Sequence, residues 1–469
     1  MPYYIKNLNI GAYAIIPLST SLSAFVILIS ESVNTSVQRH ITIAIQQNDI
    51  NKVKILFNTS LVTTFYLALL FVPVSIAISL IASTEVEIPG ISSQSLFLVI
   101  LILLLIALFT SWCCNFTNIL FAKNRLYLIN TIKLMQIFIQ FGVLYLFFTI
   151  GFTTLTSVVV SYAISVIAYF LGLLCCIYRI YPISVSYRYY KSSELKDIYG
   201  LGLWNIINSL GNILFLETSL IIANFMLGLT VGGHFSLCTK VTSIVIMIGA
   251  AISYSFSPYL YGLYSKRETQ KIKKVGIISV KTVGISVSVF ISILIIYSKE
   301  LIEIWVGPGF EDIYSSLEIM LSALALSCFV MPTYCISVMQ LKMKIPSIVT
   351  LVLGVLNVGL AVVLVSYSNT GMVGIALAWA VTIMFKNCVF NPVYHSRLLF
   401  GNYHGFFIPH LIVIGVFIIS ILFNYCIYQM VSPVSLAGAL ILSAICSVSI
   451  TGVLLRRELH DIVSTEMIP

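Results

Sequence analysis

Charge is what this chain has least of. Only 9% of its 469 residues are Asp, Glu, Lys or Arg, and just 16 are acidic, where a soluble domain carries about a quarter charged residues. With 59% hydrophobic residues and a mean hydropathy of +1.05, a water-soluble fold is excluded. Chemistry-bearing patterns are missing too. The ten cysteines form no CxxC pair and no Cys/His cluster, which excludes a structural metal site and a disulfide framework and leaves them as small apolar packing residues. There is no Walker loop, no dinucleotide fingerprint and no Ser/His/Asp set in a supporting context. No catalytic residue, metal or cofactor is therefore expected, and ATP-driven transport would need a nucleotide-binding domain that nothing in the chain supplies.

Long apolar runs are what the chain does have. Thirteen can be marked, near 11–30, 59–83, 95–121, 126–150, 155–180, 200–228, 237–258, 275–297, 315–337, 346–366, 370–390, 405–428 and 433–454. Each matches the length of a transmembrane helix, and those above 25 residues imply tilt. The first is long for a signal peptide and no small-x-small cleavage site follows it. The fold class is thus an all-α polytopic membrane protein.

The net charge of +9 reflects topology rather than nucleic acid. One set of alternate loops holds Arg39, Lys52 and Lys54; Lys123 and Arg125; Arg179, Arg188, Lys191 and Lys196; Lys266, Arg267, Lys271, Lys273 and Lys274; Lys342 and Lys344; Lys386 and Arg397; Arg456 and Arg457. These are 20 of the 25 Lys and Arg. The other set holds Lys6 and Lys299 with Glu85, Glu87, Glu300, Glu303, Glu311 and Asp312. By the positive-inside rule the first set, and the C-terminus, are cytoplasmic.

The chain also repeats itself. Ile10-Gly11-Ala12-Tyr13 and Val231-Gly232-Gly233-His234 each precede one apolar helix and a basic loop, and those loops match as Asp49-Ile50-Asn51-Lys52-Val53-Lys54 and Glu268-Thr269-Gln270-Lys271-Ile272-Lys273. An offset of about 220 residues is a duplicated half, not a solenoid period. A full helix precedes the second copy but only nine residues precede the first, so a first helix is expected to be missing. The organisation expected is an N-terminal lobe, 1–180; a cytoplasmic amphipathic connector, 181–199, rich in tyrosine; a C-terminal lobe, 200–391; and two trailing helices, 392–469.

Three stretches carry a family resemblance. The first runs from Leu216-Glu217-Thr218-Ser219-Leu220-Ile221-Ile222 through Leu227-Gly228-Leu229-Thr230-Val231-Gly232 to Ser257-Pro258-Tyr259-Leu260. The second is Gly307-Pro308-Gly309-Phe310-Glu311. The third is Leu356-Asn357 with Gly371-Met372-Val373-Gly374-Ile375-Ala376. In these the chain resembles the polysaccharide-flippase branch (O-antigen, capsule and teichuronic-acid repeat units) of the multidrug/oligosaccharidyl-lipid/polysaccharide exporter superfamily, with His234 where tyrosine is usual and Glu217 where aspartate is commoner. The resemblance implies two pseudo-symmetric helical lobes around a central cavity plus two trailing helices, with 14 or 12 spans the family norm. It implies alternating access in the inner membrane of a bacterium and an undecaprenyl-diphosphate-linked oligosaccharide as substrate. A polysaccharide polymerase and a chain-length regulator are the implied partners, and nucleic acid is not one.

Charges inside spans are costly and face cavities by default. Four are marked: Lys133, Glu217, Lys240 and Lys281. Lys133 and Lys281 lie about two turns from the cytoplasmic ends of their helices, either snorkelling or binding substrate. Glu217 lies near mid-span and Lys240 about one turn inside the outer end of the next helix. They form either a structural ion pair or a working pair, Lys240 attracting a diphosphate and Glu217 taking up a coupling H⁺ or Na⁺. Arg39, at the end of the first long helix, is either a diphosphate clamp or a topological anchor. His234 reads as an outer-loop residue, and Tyr254, Tyr259, Tyr261 and Tyr264 as an interfacial cluster. Two rival readings remain. A multidrug exporter of the same superfamily would favour an acidic cavity. A polysaccharide polymerase would carry a large arginine-rich outer loop, whereas the loop at 298–314 is short and acidic.

Overall fold

The computed structural model describes residues 7–8, 10–85, 91–123, 125–181, 184–368, 370–431 and 435–464, and among these it contains helices and turns but no strand. Lys6 and Glu87 lie outside the described residues, as do the side chains of Glu31, Arg39, Lys196, Pro258 and Arg457. The helices are α1 (Ile10–Gln46), α2 (Ile50–Glu85), α3 (Ser93–Ala122), α4 (Leu126–Thr149), α5 (Leu155–Ile180), α6 (Ser193–Leu227), α7 (Leu229–Ser265) and α8 (Thr269–Ile296). Then follow α9 (Ser298–Val306), α10 (Ile313–Ala325), α11 (Tyr334–Met339), α12 (Lys344–Tyr367), α13 (Gly371–Met384), α14 (Asn391–Phe400), α15 (Phe407–Val431) and α16 (Leu436–Ser464). Among the described residues, twelve helices are long and apolar enough to cross a membrane, and thirteen spans result if α10 and α11, bent by 41° at their junction, count as one. Every predicted apolar run falls on one of these spans.

The duplication is written into the geometry. α1 and α7 are both 37 residues long, and their starts, Ile10 and Leu229, are 219 positions apart. The starts of the next helices, Ile50 and Thr269, keep the same offset. The turns between them match atom for atom: Asn48 and Arg267 both take φ 56°, and Asp49 N and Glu268 N each donate back over five residues, to Ala44 O and Leu263 O at 3.0 Å. α4 and α12 also agree, at 24 residues each.

Several expectations need correction. Gly232, Gly233 and His234 are not loop residues but the first turns of α7; the only break from α6 is Gly228, whose φ of 89° suits glycine. The outer loop at 298–314 contains α9. α1 does not end at Arg39 but continues to Gln46. Lys386 is not in a basic loop, because the last span of the second copy continues through a π-helical turn, Phe385–Phe390, into α14.

The chain divides into two compact units. One runs to Ile213 and takes in Ala223–Gly233; the other comprises Leu214–Ile222 and the chain from His234 onward. In the first, Phe109, Trp112, Phe116 and Phe170 pack ring to ring, centroids 5.4–5.9 Å apart, between α3 and α5. Beside them a buried polar seam joins α2 to α3: the Asn115 amide donates to Thr64 Oγ1 at 2.8 Å and its carbonyl accepts from Ser60 Oγ. In the second unit α15 lies so close on α8 that a Cβ at Gly284 would stand 2.5 Å from Val413 and 2.8 Å from Phe329. Asn424 Nδ2 donates to Ser292 Oγ at 2.8 Å, and Tyr297 OH meets Ser443 Oγ at 2.9 Å, so both trailing helices are bonded to this unit. All ten cysteines are free.

Candidate functional site

The polar centre of the second unit is Asn357 on α12, fully buried. Its amide reaches α6, donating to Leu214 O at 2.9 Å, Phe215 O at 3.2 Å and Ser219 Oγ at 3.3 Å, while Thr382 Oγ1 on α13 donates to its carbonyl at 3.5 Å. An amide in hydrocarbon is tolerated only when its groups are bonded, and here one side chain stitches three spans. Glu217 lies between Phe215 and Ser219 in sequence, near the middle of span Leu203–Leu227, and is half-buried.

Lys386 approaches the same stretch of α6. It is 7% exposed, lies at the middle of span Gly371–Phe400, and holds its ammonium 5.2 Å from the centre of the Phe215 ring. A charge at that depth costs about 2.5–3.5 kcal/mol, and a desolvated cation–π contact returns up to about 2. The π-helical turn that carries it widens the backbone at a type of feature common at functional sites.

From Lys386 a line of polar side chains follows the helix. Asn387, Asn391 and His395, four residues apart, share one face and are all buried. Tyr334 OH donates to Asn387 Oδ1 at 3.0 Å, Asn391 Nδ2 donates to the same oxygen at 2.9 Å, and His395 sits between Thr333 Oγ1 at 2.7 Å and Ser337 Oγ at 2.9 Å. The partners all come from the bent span, where Pro332 and a 3-10 turn, Cys328–Thr333, separate α10 from α11.

The other marked residues are more scattered. Lys240 is exposed and lies about three turns inside α7, deeper than expected, on one face with Ile244, Met247, Ala251 and Tyr254. It does not pair with Glu217; the ion pairs between described side chains are His234–Asp312, at 2.7 Å, and Lys271–Glu268. Lys281 is half-buried near the middle of α8, deeper than expected, and Lys133 is exposed about two turns into α4. Sequence reasoning missed Lys386, Asn357 and His395 as site residues. The usable signal was the spacing of Asn387, Asn391 and His395 beyond the predicted end of the span.

No family model matches the chain. It is 26% identical over 413 residues to EpsK, an uncharacterized membrane protein of Bacillus subtilis (strain 168), covering 86% of this chain and 80% of that protein. Among solved structures, a multidrug resistance MATE family transporter of the MOP superfamily in its inward-facing conformation superposes with a TM-score of 0.71 at 16% identity, over 88% of this chain and 93% of that one. A MOP superfamily transporter from Pyrococcus furiosus, described as having a binding pocket of reversed polarity, gives 0.65 at 15% identity, over 85% and 91%. The fold is therefore the two-lobe, MATE-like fold seen in those structures, carried by a chain whose long apolar helices make it a multi-pass membrane protein.

Proposed function

We propose that the chain is a flippase that carries undecaprenyl-diphosphate-linked oligosaccharide repeat units from the cytoplasmic to the outer leaflet by alternating access, during surface polysaccharide synthesis. The observation that carries this reading is the sign of the charges inside the spans. Lys133, Lys240, Lys281 and Lys386 stand there against Glu217 and Glu318, and a diphosphate is the lipid-borne group that such cations attract. Lys240 and Lys386 are the substrate-side candidates. Glu217, with the neutral oxygens of Ser219, Asn357 and Thr382, is the candidate set for a coupling H⁺ or Na⁺. The basic helix ends and the C-terminus face the cytoplasm, and a polymerase and a chain-length regulator act on the product.

The solved structures of this fold that are multidrug transporters favour a second reading, export of drugs. A strain lacking the gene separates the two. Full-length lipid-linked repeat units should accumulate on the cytoplasmic face and clear when the wild-type chain is restored, but not with Lys386→Leu or Lys240→Glu. Drug sensitivity without such accumulation would leave the exporter reading standing alone, and accumulation on the outer face would point to a polymerase.

A further inference from the structure

We propose that the first unit carries a built binding site for an anionic phospholipid at the basic ends of α2, α3 and α5. A cavity of about 360 Å³ opens there, lined by Phe57, Phe116, Leu174, Ile177, Tyr178 and Val185, with Cys175 completing a wall that is almost wholly apolar. Tyr178 is 80% exposed and Val185 62%, so the cavity opens on the flank of the helices, and its lining suits a hydrocarbon chain.

Each wall bears a cation nearer the helix end. Lys54 is one turn from Phe57 on α2, Lys123 follows Phe116 by two turns at the end of α3, and Arg179 is next to Tyr178. Arg188 stands on the connector three residues after Val185. The connector gathers these charges. Buried Asn58 donates to Ser184 O at 3.0 Å and accepts from Ser186 N at 2.8 Å, and Thr59 Oγ1 accepts from Lys191 N at 3.1 Å. So fixed, the connector presents the Tyr189 ring 5.8 Å from Lys54 Nζ, while Tyr181, at its start, lies 4.6 Å from Lys123 Nζ. Burial raises the Tyr181 phenol above its usual range, so its ring stays neutral beneath the ammonium.

No acidic residue occurs between Glu87 and Glu194, so α3, α4, α5 and the first part of the connector, 181–193, carry no carboxylate to neutralise this rim. An apolar slot beneath a cluster of cations at one membrane surface is the arrangement that recognises a phosphate-bearing lipid, each cation near the surface adding to its attraction. The ligand is a phospholipid of the surrounding leaflet, its acyl chain in the slot and its phosphate on Lys123 and Arg179. This inference does not depend on which substrate is transported.

The test uses the full chain purified in detergent and incubated with phosphatidylglycerol or phosphatidylcholine, with retained lipid counted by native mass spectrometry. Phosphatidylglycerol should be retained at least about tenfold better. Lys123→Glu with Arg179→Glu should erase that preference, and Val185→Trp, which fills the slot and keeps every cation, should lower retention of both lipids. Gel filtration identifies variants that fold. Equal retention of the two lipids by wild type, or an unchanged preference in a folded double variant, overturns the proposal. Displacement of phosphatidylglycerol by a polyprenyl diphosphate in wild type but not in Val185→Trp also overturns it, by making the slot a substrate entrance.

Discussion

The two copies of the repeat begin alike and part company at their third and fifth helices. In the first copy α3 is one unbroken helix of 30 residues and α5 one of 26. In the second copy the corresponding spans are interrupted, one by the 41° bend between α10 and α11, the other by the π-helical turn between α13 and α14. The two interruptions meet: Tyr334 bonds Asn387, and Thr333 and Ser337 hold His395. The interior chemistry divides in the same way. Buried polar residues of the first copy, such as Ser60, Thr64, Ser111 and Asn115, are uncharged, whereas the second copy buries Lys386 and His395. Helix breaks free backbone groups and side-chain space that a regular helix consumes. One copy thus serves as frame, and its twin has spent regularity to hold a cation in the membrane.

The strongest way to break this comparison is Lys386→Leu. Transport should fall at least about tenfold while thermal stability in detergent holds or rises by about 1–3 kcal/mol, because the cost of a buried charge is removed. Full transport would reduce the asymmetry to scaffold. A matched pair sharpens it further. Asn357→Ala and Asn115→Ala should each lower stability by about 1–3 kcal/mol through unsatisfied buried groups, but only the first should also abolish dependence on the coupling ion in a liposome flux assay. Lys240→Glu should weaken binding of a polyprenyl diphosphate about tenfold, one charge's worth, with stability within about 0.5 kcal/mol of wild type since the residue is exposed; calorimetry against unchanged melting would show it. The smallest effect concerns the shared turn. Arg267→Gly should stabilise by up to about 1 kcal/mol, because a long side chain is strained at φ 56°, whereas Asn48→Gly should change little, asparagine tolerating that conformation. Equal shifts at both sites would mean that the turns are not energetic equivalents.

Much of the architecture is legible in the sequence. Hydropathy located all thirteen runs, because a helix in hydrocarbon has to be apolar over its length. The matching loops, Asp49 to Lys54 and Glu268 to Lys273, exposed a duplication that the structure reproduces down to the turn dihedrals. What stayed hidden is decided by partners far away in sequence. Nothing local in Phe385–Phe390 announces a π-turn; Tyr334, more than fifty residues earlier, and Phe215, earlier still, make its buried amide and ammonium acceptable. Lys386 reads as a loop cation in the sequence because a lysine near the end of an apolar window looks like a topological signal. His234 reads as a loop residue in the sequence because two glycines precede it, yet of the glycines there only Gly228 takes a positive φ. Hydropathy alone puts Lys240 and Lys281 too close to the surface because α7 and α8 start several residues before their apolar windows.

Gly284 keeps a record of ancestry. With α15 seated on α8, two of the three atoms nearest to any side chain at that position belong to Val413, so any residue larger than glycine has to displace Val413 or Phe329 while the trailing pair remains. A lineage that shed those helices would be released from much of this restriction, and its codon would begin to drift. Across a set of related sequences, glycine at this one site should therefore report inheritance of two helices encoded far downstream, without any need to count spans.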